Sequence, residues 1–327
     1  MSDTPYSGLT PEVIMAALES IGLVPDGTLL ALNSYENRVY QIGMEDGPPL
    51  VAKFYRPGRW TNAAIQEEHD FSLALALEEI PVIAPIQDAT GKTLHAYHDF
   101  RFALFPRRGG RWPDLENPDN LEWIGRFLGR IHQLGSSHPF NHRLSINPEE
   151  LGRNSANYLL ENGCIPLELE RRYRDLSEAL LARVEKRFAE ASGCRWIRLH
   201  GDCHPGNILW TEGGPHFVDM DDCRNGPAIQ DLWMLLSGEP EEMALQLSYL
   251  REGYETFRPL DPREVTLIEP LRTLRIIHYA AWLARRWNDP AFPAAFPWFG
   301  SNQYWQQHIS ILEQQSIILE APALPLY

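Results

Sequence analysis

Apolar residues recur at helical spacing directly after Thr10-Pro11, where Val13, Ile14, Ala17, Leu18 and Ile21 repeat every three or four positions. A hydroxyl cap followed by proline at the first helical position predicts a helix start there. The period then shortens. Thr28–Asn33, Arg38–Ile42 and Leu50–Tyr55 are short β-rich runs, parted by Ser34-Tyr35-Glu36-Asn37 and by Glu45-Asp46-Gly47-Pro48-Pro49. Turn formers between such runs predict antiparallel hairpins. A helix is expected from Asn62 to Glu79, and further strands near Thr93–Tyr97 and Arg101–Phe105.

After Phe105 the character changes. Pro106-Arg107-Arg108-Gly109-Gly110 is a cluster of chain breakers, and beyond it helical patterns dominate. They cover Asn120–Leu134, Leu167–Ala191, Ile229–Leu236, Glu241–Phe257, Pro262–Trp287 and Gln303–Leu319, interrupted by a β-rich island over Trp196–Asp219. No internal repeat or low-complexity segment is present. The expected fold class is α+β, with a small β-rich lobe over residues 1–105, a larger helical lobe over 106–327 and a hinge at about 105–110.

Composition narrows the partners. The 327 residues include 29 Lys+Arg and 44 Asp+Glu, a net charge of −15. Such an excess argues against a nucleic-acid or anionic-membrane surface, which needs clustered cations. The start, MSDTPYSGLT, lacks the charged and apolar regions of a secretory signal. The longest apolar span, Leu267 to Trp287, is interrupted by Glu269, Arg272, Arg275, Arg285 and Arg286, too many charges for a membrane helix. Four cysteines in a chain this long suggest reduced thiols rather than a disulfide framework, so a cytoplasmic protein is expected.

The densest chemistry lies in His200-Gly201-Asp202-Cys203-His204-Pro205-Gly206-Asn207, followed by Ile208-Leu209-Trp210 and then Phe217-Val218-Asp219. Two apolar runs turned at Glu212-Gly213-Gly214 predict a hairpin that brings Asn207 beside Asp219. Phosphoryl transfer from a nucleotide needs Mg²⁺, which takes few, hard oxygen ligands, and Asn207 and Asp219 would supply them. A separate carboxylate, Asp202, would orient the acceptor hydroxyl and accept its proton. The Asp-x-x-x-x-Asn spacing also occurs in the kinase catalytic loop. Asp, Asn and Gly are common in plain turns, but both motifs in order between β-runs make that reading weak. Zinc binding by His200, Cys203, His204 and Cys223 finds no standard ligand spacing.

Such chemistry also needs an upstream lysine on a strand, and Val51-Ala52-Lys53 provides it. Lys53 is the only lysine before Lys92. It should pair with a carboxylate in the following helix, either Glu67 or Glu68. Glu68 is preferred because it leaves a suitable length of helix before Ile80-Pro81-Val82.

These residues resemble the aminoglycoside phosphotransferase/choline kinase-like superfamily, whose loop reads His-Gly-Asp-(x)4-Asn, a branch of the bilobal protein-kinase-like fold. The stretches Leu32–Tyr40, Lys53-Phe54-Tyr55-Arg56-Pro57, His200–Trp210, Val218–Asp222, Gly226-Pro227, Gln230–Trp233 and Asp289–Pro293 are similar to the bacterial stress response kinase A family. The resemblance implies an ATP- and Mg²⁺-dependent serine/threonine protein kinase of a stress response, cytoplasmic and monomeric. It implies Asp202 as proton acceptor, Asn207 and Asp219 as Mg²⁺ ligands, and Ser34 and Lys53 as ATP contacts. It further implies that Phe105 lies beside adenine and that Asp231 braces the catalytic loop. Ser34–Arg38 departs from the kinase Gly-x-Gly-x-x-Gly pattern, since it holds no glycine. There the Ser34 hydroxyl and the Asn37 amide are expected to replace part of what bare backbone does.

The residues alone do not favour a protein acceptor. Asp219 and Asp231 are too close in sequence for a long activation loop, which suits small-molecule kinases. A net charge of −15 suits a cationic acceptor such as an aminoglycoside or choline. A catalytically silent nucleotide-binding module is a further reading, although Lys53, Asp202, Asn207 and Asp219 are all present. Arg272, Arg275, Tyr279, Trp282, Arg286 and Trp287 recur at helical spacing; most of the aromatics are expected in the core, and some of the arginines are expected to face the acceptor cleft. Asp221 and Asp222 are candidate supports of the metal site.

Overall fold

A computed structural model describes residues 4–326. In chain order the first elements are α1 (Pro11–Glu19), β1 (Pro25–Ala31), β2 (Arg38–Met44), β3 (Leu50–Phe54), α2 (Asn62–Leu77), β4 (His95–Tyr97) and β5 (Phe100–Pro106). Then follow α3 (Pro118–Gly135), α4 (Asn154–Glu161), α5 (Leu167–Glu190), β6 (Ile197–Leu199), β7 (Ile208–Thr211), β8 (Gly214–Phe217) and β9 (Arg224–Gly226). The last are α6 (Ile229–Trp233), α7 (Pro240–Tyr254), α8 (Ile268–Arg285), α9 (Ala291–Ala295) and α10 (Asn302–Ile318). They divide into two compact units.

The first unit runs through Pro113 and takes in Asn141–Arg143 and Gly206–Asp221. Its sheet is antiparallel in the order β1-β2-β3-β5-β4. Side chains alternate across a strand, so Ala52 and Phe54 face one side with Phe102 and Leu104, packed on Ile14, Ala17 and Leu18 of α1. Each such buried Leu or Phe contributes about 1.5–3 kcal/mol. The other side buries Tyr55 and Ala103 against Ile65 of α2. Lys53 shares that side. Thr10 and Thr61 cap α1 and α2 by accepting the Val13 and Ala64 amides.

That first unit extends through Pro113 and takes in the β7–β8 hairpin for a physical reason. Bridges between Val82 and Phe217, and between Arg111 and Trp210, tie the β7–β8 hairpin and residues 111–113 to the sheet-bearing unit. Those pairings join residues 135 and 99 positions apart in the chain, which local patterning does not report.

The second unit is helical apart from the β6–β9 pair. Tyr173, Leu180 and Val184 of α5 pack with Leu274 and Ile277 of α8 and Trp305, Ile309 and Leu312 of α10. Helices α3 and α7 lie backbone to backbone. A Cβ on Gly125 would sit 2.0 Å from the Leu250 carbonyl oxygen, and one on Gly253 would sit 1.9 Å from that of Glu122. Pro148–Glu161, a π-helical turn leading into α4, has no counterpart in the sequence expectation. Its polar residues mask the apolar period, and Asn147 starts it by accepting the Glu150 amide. The single helix expected over Pro262–Trp287 is a 3-10 turn over Pro262–Leu267 followed by α8. Among the described residues, no helix is long and apolar enough to cross a membrane.

Candidate active site

Lys53 lies in the middle of β3, paired with Val39 and Ala103 on its neighbours, and is almost wholly buried. Its Nζ is 3.3 Å from Glu68 Oε1 on α2, 3.1 Å from Asp219 Oδ1 and 3.3 Å from Asp221 Oδ1. Burial alone would lower its pKa, but Asp221, Glu68 and Asp219 together hold it well above the usual lysine value. The ammonium therefore stays charged. Of the two candidate glutamates, Glu68 is the one that meets Lys53. Glu67 accepts the backbone N–H groups of Asn141, His142 and Arg143 at 2.7, 2.9 and 3.1 Å. Arg143 in turn donates to Glu68 Oε2 at 2.7 Å, a partner that sequence spacing could not reveal.

Behind Glu68 the Tyr55 hydroxyl meets His69 Nε2 at 2.7 Å, and His69 Nδ1 meets Thr93 Oγ1 at 2.8 Å. Burial, aided by Lys53 and Arg143, lowers the His69 pKa to about 3, so the ring is neutral. A fixed wall of neutral hydrogen-bonding groups thus backs the ion pair.

The hairpin β7–β8 does what its pattern predicts. Ile208 pairs with Phe217, and the Val218 amide donates to the Asn207 carbonyl at 3.0 Å, which sets Asn207 beside the residue preceding Asp219. Asp219 has φ of +60°, a sparsely populated conformation for a residue with a side chain, and its side chain is 56% exposed. Among the described residues, no group of three or more His, Cys, Asp or Glu could hold a metal by itself. An amide and a carboxylate oxygen at one hairpin mouth instead suit a hard cation completed by water and phosphate oxygens. Of the two neighbouring acids, Asp221 is buried against Lys53 and Arg59, whereas Asp222 pairs with Arg224 at 2.7 Å.

Ser34 lies in the β1–β2 connection and Phe105 on β5, where the Phe105 ring meets His69 edge-on. Asn37 is turned inward. It is 3% exposed, and its Oδ1 accepts the Arg56 amide at 3.1 Å, which pins the loop.

Asp202 and Asp231 belong to the second unit. Asp231 is wholly buried at the start of α6. It accepts the His200 and Gly201 amides, each at 2.8 Å, and meets His132 Nε2 at 2.9 Å. Burial favours its neutral form, yet His132, His200 and the Gly201 amide hold its pKa below the usual carboxylate value. Gly201 is required here. Its φ is +85°, and a Cβ would lie 2.2 Å from the Asp222 carbonyl oxygen. Asp202 is then presented with one oxygen 2.6 Å from Arg275 Nη1 of α8 and the other 3.6 Å from His204 Nε2. Spacing marked Arg275 only as one of a stripe. In the same loop Cys203 is fully buried, and burial, with Asp231 and Asp202, pushes its thiol pKa well above the ordinary value.

Glu264 steadies the helix that carries Asp231, accepting the Ile229 amide at 2.9 Å. Burial raises its pKa to about 7 although that hydrogen bond opposes the change. A carboxyl raised from about 4.3 stabilises the fold fully below that pH and loses its contribution as pH rises through 7. Glu264→Gln keeps the amide acceptor and removes the titration. The buried histidines contribute equally to both proteins, so we expect the unaltered protein to lose on the order of 2–4 kcal/mol relative to the variant across that window. Urea unfolding at pH 5 and pH 8 checks it; parallel pH profiles would contradict it.

The phosphotransferase enzyme family matches residues 28–265. Stress response kinase A of Escherichia coli (strain K12) is 46% identical over 321 residues, covering 98% of this chain and 97% of that protein. A protein of Salmonella typhimurium (strain LT2) described as serine/threonine protein kinase RdoA is 45% identical over the same length and coverage. Among solved structures, an amicoumacin kinase in complex with AMP-PNP and Ca²⁺ superposes with a TM-score of 0.70 at 19% identity. It covers 96% of this chain and 95% of that one. A choline kinase from Cryptosporidium parvum gives 0.61 at 13% identity, covering 95% and 96%. At such identities these likenesses speak for the fold alone, which is kinase-like and α+β.

Proposed function

The chain belongs to the phosphotransferase enzyme family and within it to the stress response kinase A family, and on that premise we propose that it transfers the γ-phosphate of ATP to a serine or threonine hydroxyl of a protein. The observation that carries the reading is Lys53, buried on its strand and held by both Glu68 and Asp219. Phosphoryl transfer leaves a protein little to do beyond positioning and charge stabilisation. In this reading Lys53, oriented by Glu68, holds the nucleotide phosphates. Ser34 lies over them and Phe105 beside the adenine. Asn207 and Asp219 would hold Mg²⁺, which supplies charge neutralisation for the phosphates. Asp202, five residues before Asn207 in the chain, orients the acceptor hydroxyl and takes its proton. Asp231 fixes the backbone on which Asp202 stands. The names of the relatives support work in a stress response, and in this reading the enzyme acts as a cytoplasmic monomer.

A second reading, a small-molecule hydroxyl kinase, is favoured by the short stretch from Asp219 to Asp231. The names of the solved neighbours, amicoumacin kinase and choline kinase, point the same way. Purified protein given labelled ATP and Mg²⁺, with casein in one reaction and a panel of amino alcohols in another, separates the two. Label on serine or threonine of protein is the expected result. Label on an amino alcohol alone would replace the proposal with the second reading, and nucleotide binding without any turnover would leave a silent module.

A further inference from the structure

The β1–β2 connection has to approach nucleotide phosphates without glycine, since none occurs between Gly27 and Gly43. Glycine-rich loops achieve that approach with bare, adaptable backbone. Here the loop is fastened instead. The Arg56 amide donates to Asn37 Oδ1 at 3.1 Å, and the Tyr6 hydroxyl donates to the Glu36 carbonyl at 3.0 Å. The Glu36 carboxylate is the outward end of a relay of alternating charge. Its Oε1 lies 3.0 Å from Arg56 Nε and 3.7 Å from Arg59 Nε. Arg59 Nη1 then binds Asp221 Oδ2, and Asp221 Oδ1 lies 3.3 Å from Lys53 Nζ. All five side chains are at most 13% exposed, so their mutual attraction is weakly screened.

We infer that Arg59 is a positioning residue for the nucleotide: through Glu36 and Asp221 it locks the glycine-free loop in register with Lys53, so that the phosphate site is ordered before ATP arrives. The inference rests on the reading of Lys53 and Ser34 as ATP contacts. It gives the Arg56-Pro57-Gly58-Arg59 turn a purpose. Arg56 holds the loop, and Arg59 joins it to the acid beside the phosphate-holding lysine. A lysine at position 59 could not contact Glu36 and Asp221 at once from a planar fork.

The test uses the full chain, with Mg²⁺ and a fluorescent ATP analogue for binding and labelled ATP with casein for turnover. Arg59→Ala should raise the KM for ATP about tenfold or more, the size expected for losing hydrogen bonds between charged groups, with kcat at saturating ATP within about threefold. Glu36→Gln should raise KM likewise, and the double variant should be no worse than the poorer single one, because both cut the same relay. Arg59→Lys should recover only part of the loss. Where Arg59→Ala does not fold, Arg59→Lys and Glu36→Gln carry the comparison. KM values within twofold of the unaltered protein in folded variants would overturn the inference. So would effects that multiply in the double variant, or a fall in kcat at constant KM. Absence of analogue binding by the unaltered protein would instead overturn the nucleotide reading, and this inference with it.

Discussion

Replacing Asp202 by alanine is expected to lower kcat by about 10²–10⁴-fold, the range spanned by a positioned general base, while leaving ATP affinity within about twofold. The structure makes this a sharp test. Asp202 is 25% and Arg275 46% exposed, so their ion pair contributes little stability and its loss does not threaten the fold. The frame beneath survives as well, because the Asp231 carboxylate holds the loop through the His200 and Gly201 amides. Asp202→Asn should fall as far as the alanine variant, since an amide orients a hydroxyl but cannot take its proton. Initial rates at saturating ATP, together with titration of a fluorescent ATP analogue, give both quantities. Turnover of either variant close to that of the unaltered protein would remove Asp202 from the chemistry.

Asp219→Ala should abolish the Mg²⁺-dependent part of nucleotide binding and with it all measurable turnover. The side chain is more exposed than buried, and Lys53 keeps Glu68 and Asp221 after its removal, so no buried ammonium is stranded. Analogue affinity measured across a Mg²⁺ series should be steep for the unaltered protein and flat for the variant. Two superimposable curves would contradict the role. The strained backbone at Asp219, with φ of +60°, also predicts that Asp219→Gly binds the cation no better than alanine, since it is the carboxylate and not the turn that is missing.

Where chemistry is written in neighbouring residues, the sequence is readable. The Thr10-Pro11 cap starts α1, the Glu212-Gly213-Gly214 turn closes β7 onto β8, and the hairpin then brings Asn207 to the strand that ends before Asp219. Where partners come from distant segments, it is not. Glu67 and Glu68 are adjacent in the chain, and only the arrival of Asn141–Arg143 gives one of them three amides and leaves the other to Lys53. Arg143 on Glu68, Arg59 on Asp221 and Arg275 on Asp202 have no local signature, because an arginine at helical or loop spacing looks the same whether it faces water or a carboxylate. Asn37 likewise has a partner that spacing does not report, the Arg56 amide that donates to its Oδ1.

The enclosure of Cys203 bears on the conditions in which such an enzyme works. Attack by peroxide requires a thiolate that the oxidant can reach. The sulfur next to Asp202 is fully covered and strongly held in its protonated form, and Cys223 is equally covered. For as long as the fold stays closed, burial keeps both sulfurs from an oxidant and so from conversion to sulfenic acid.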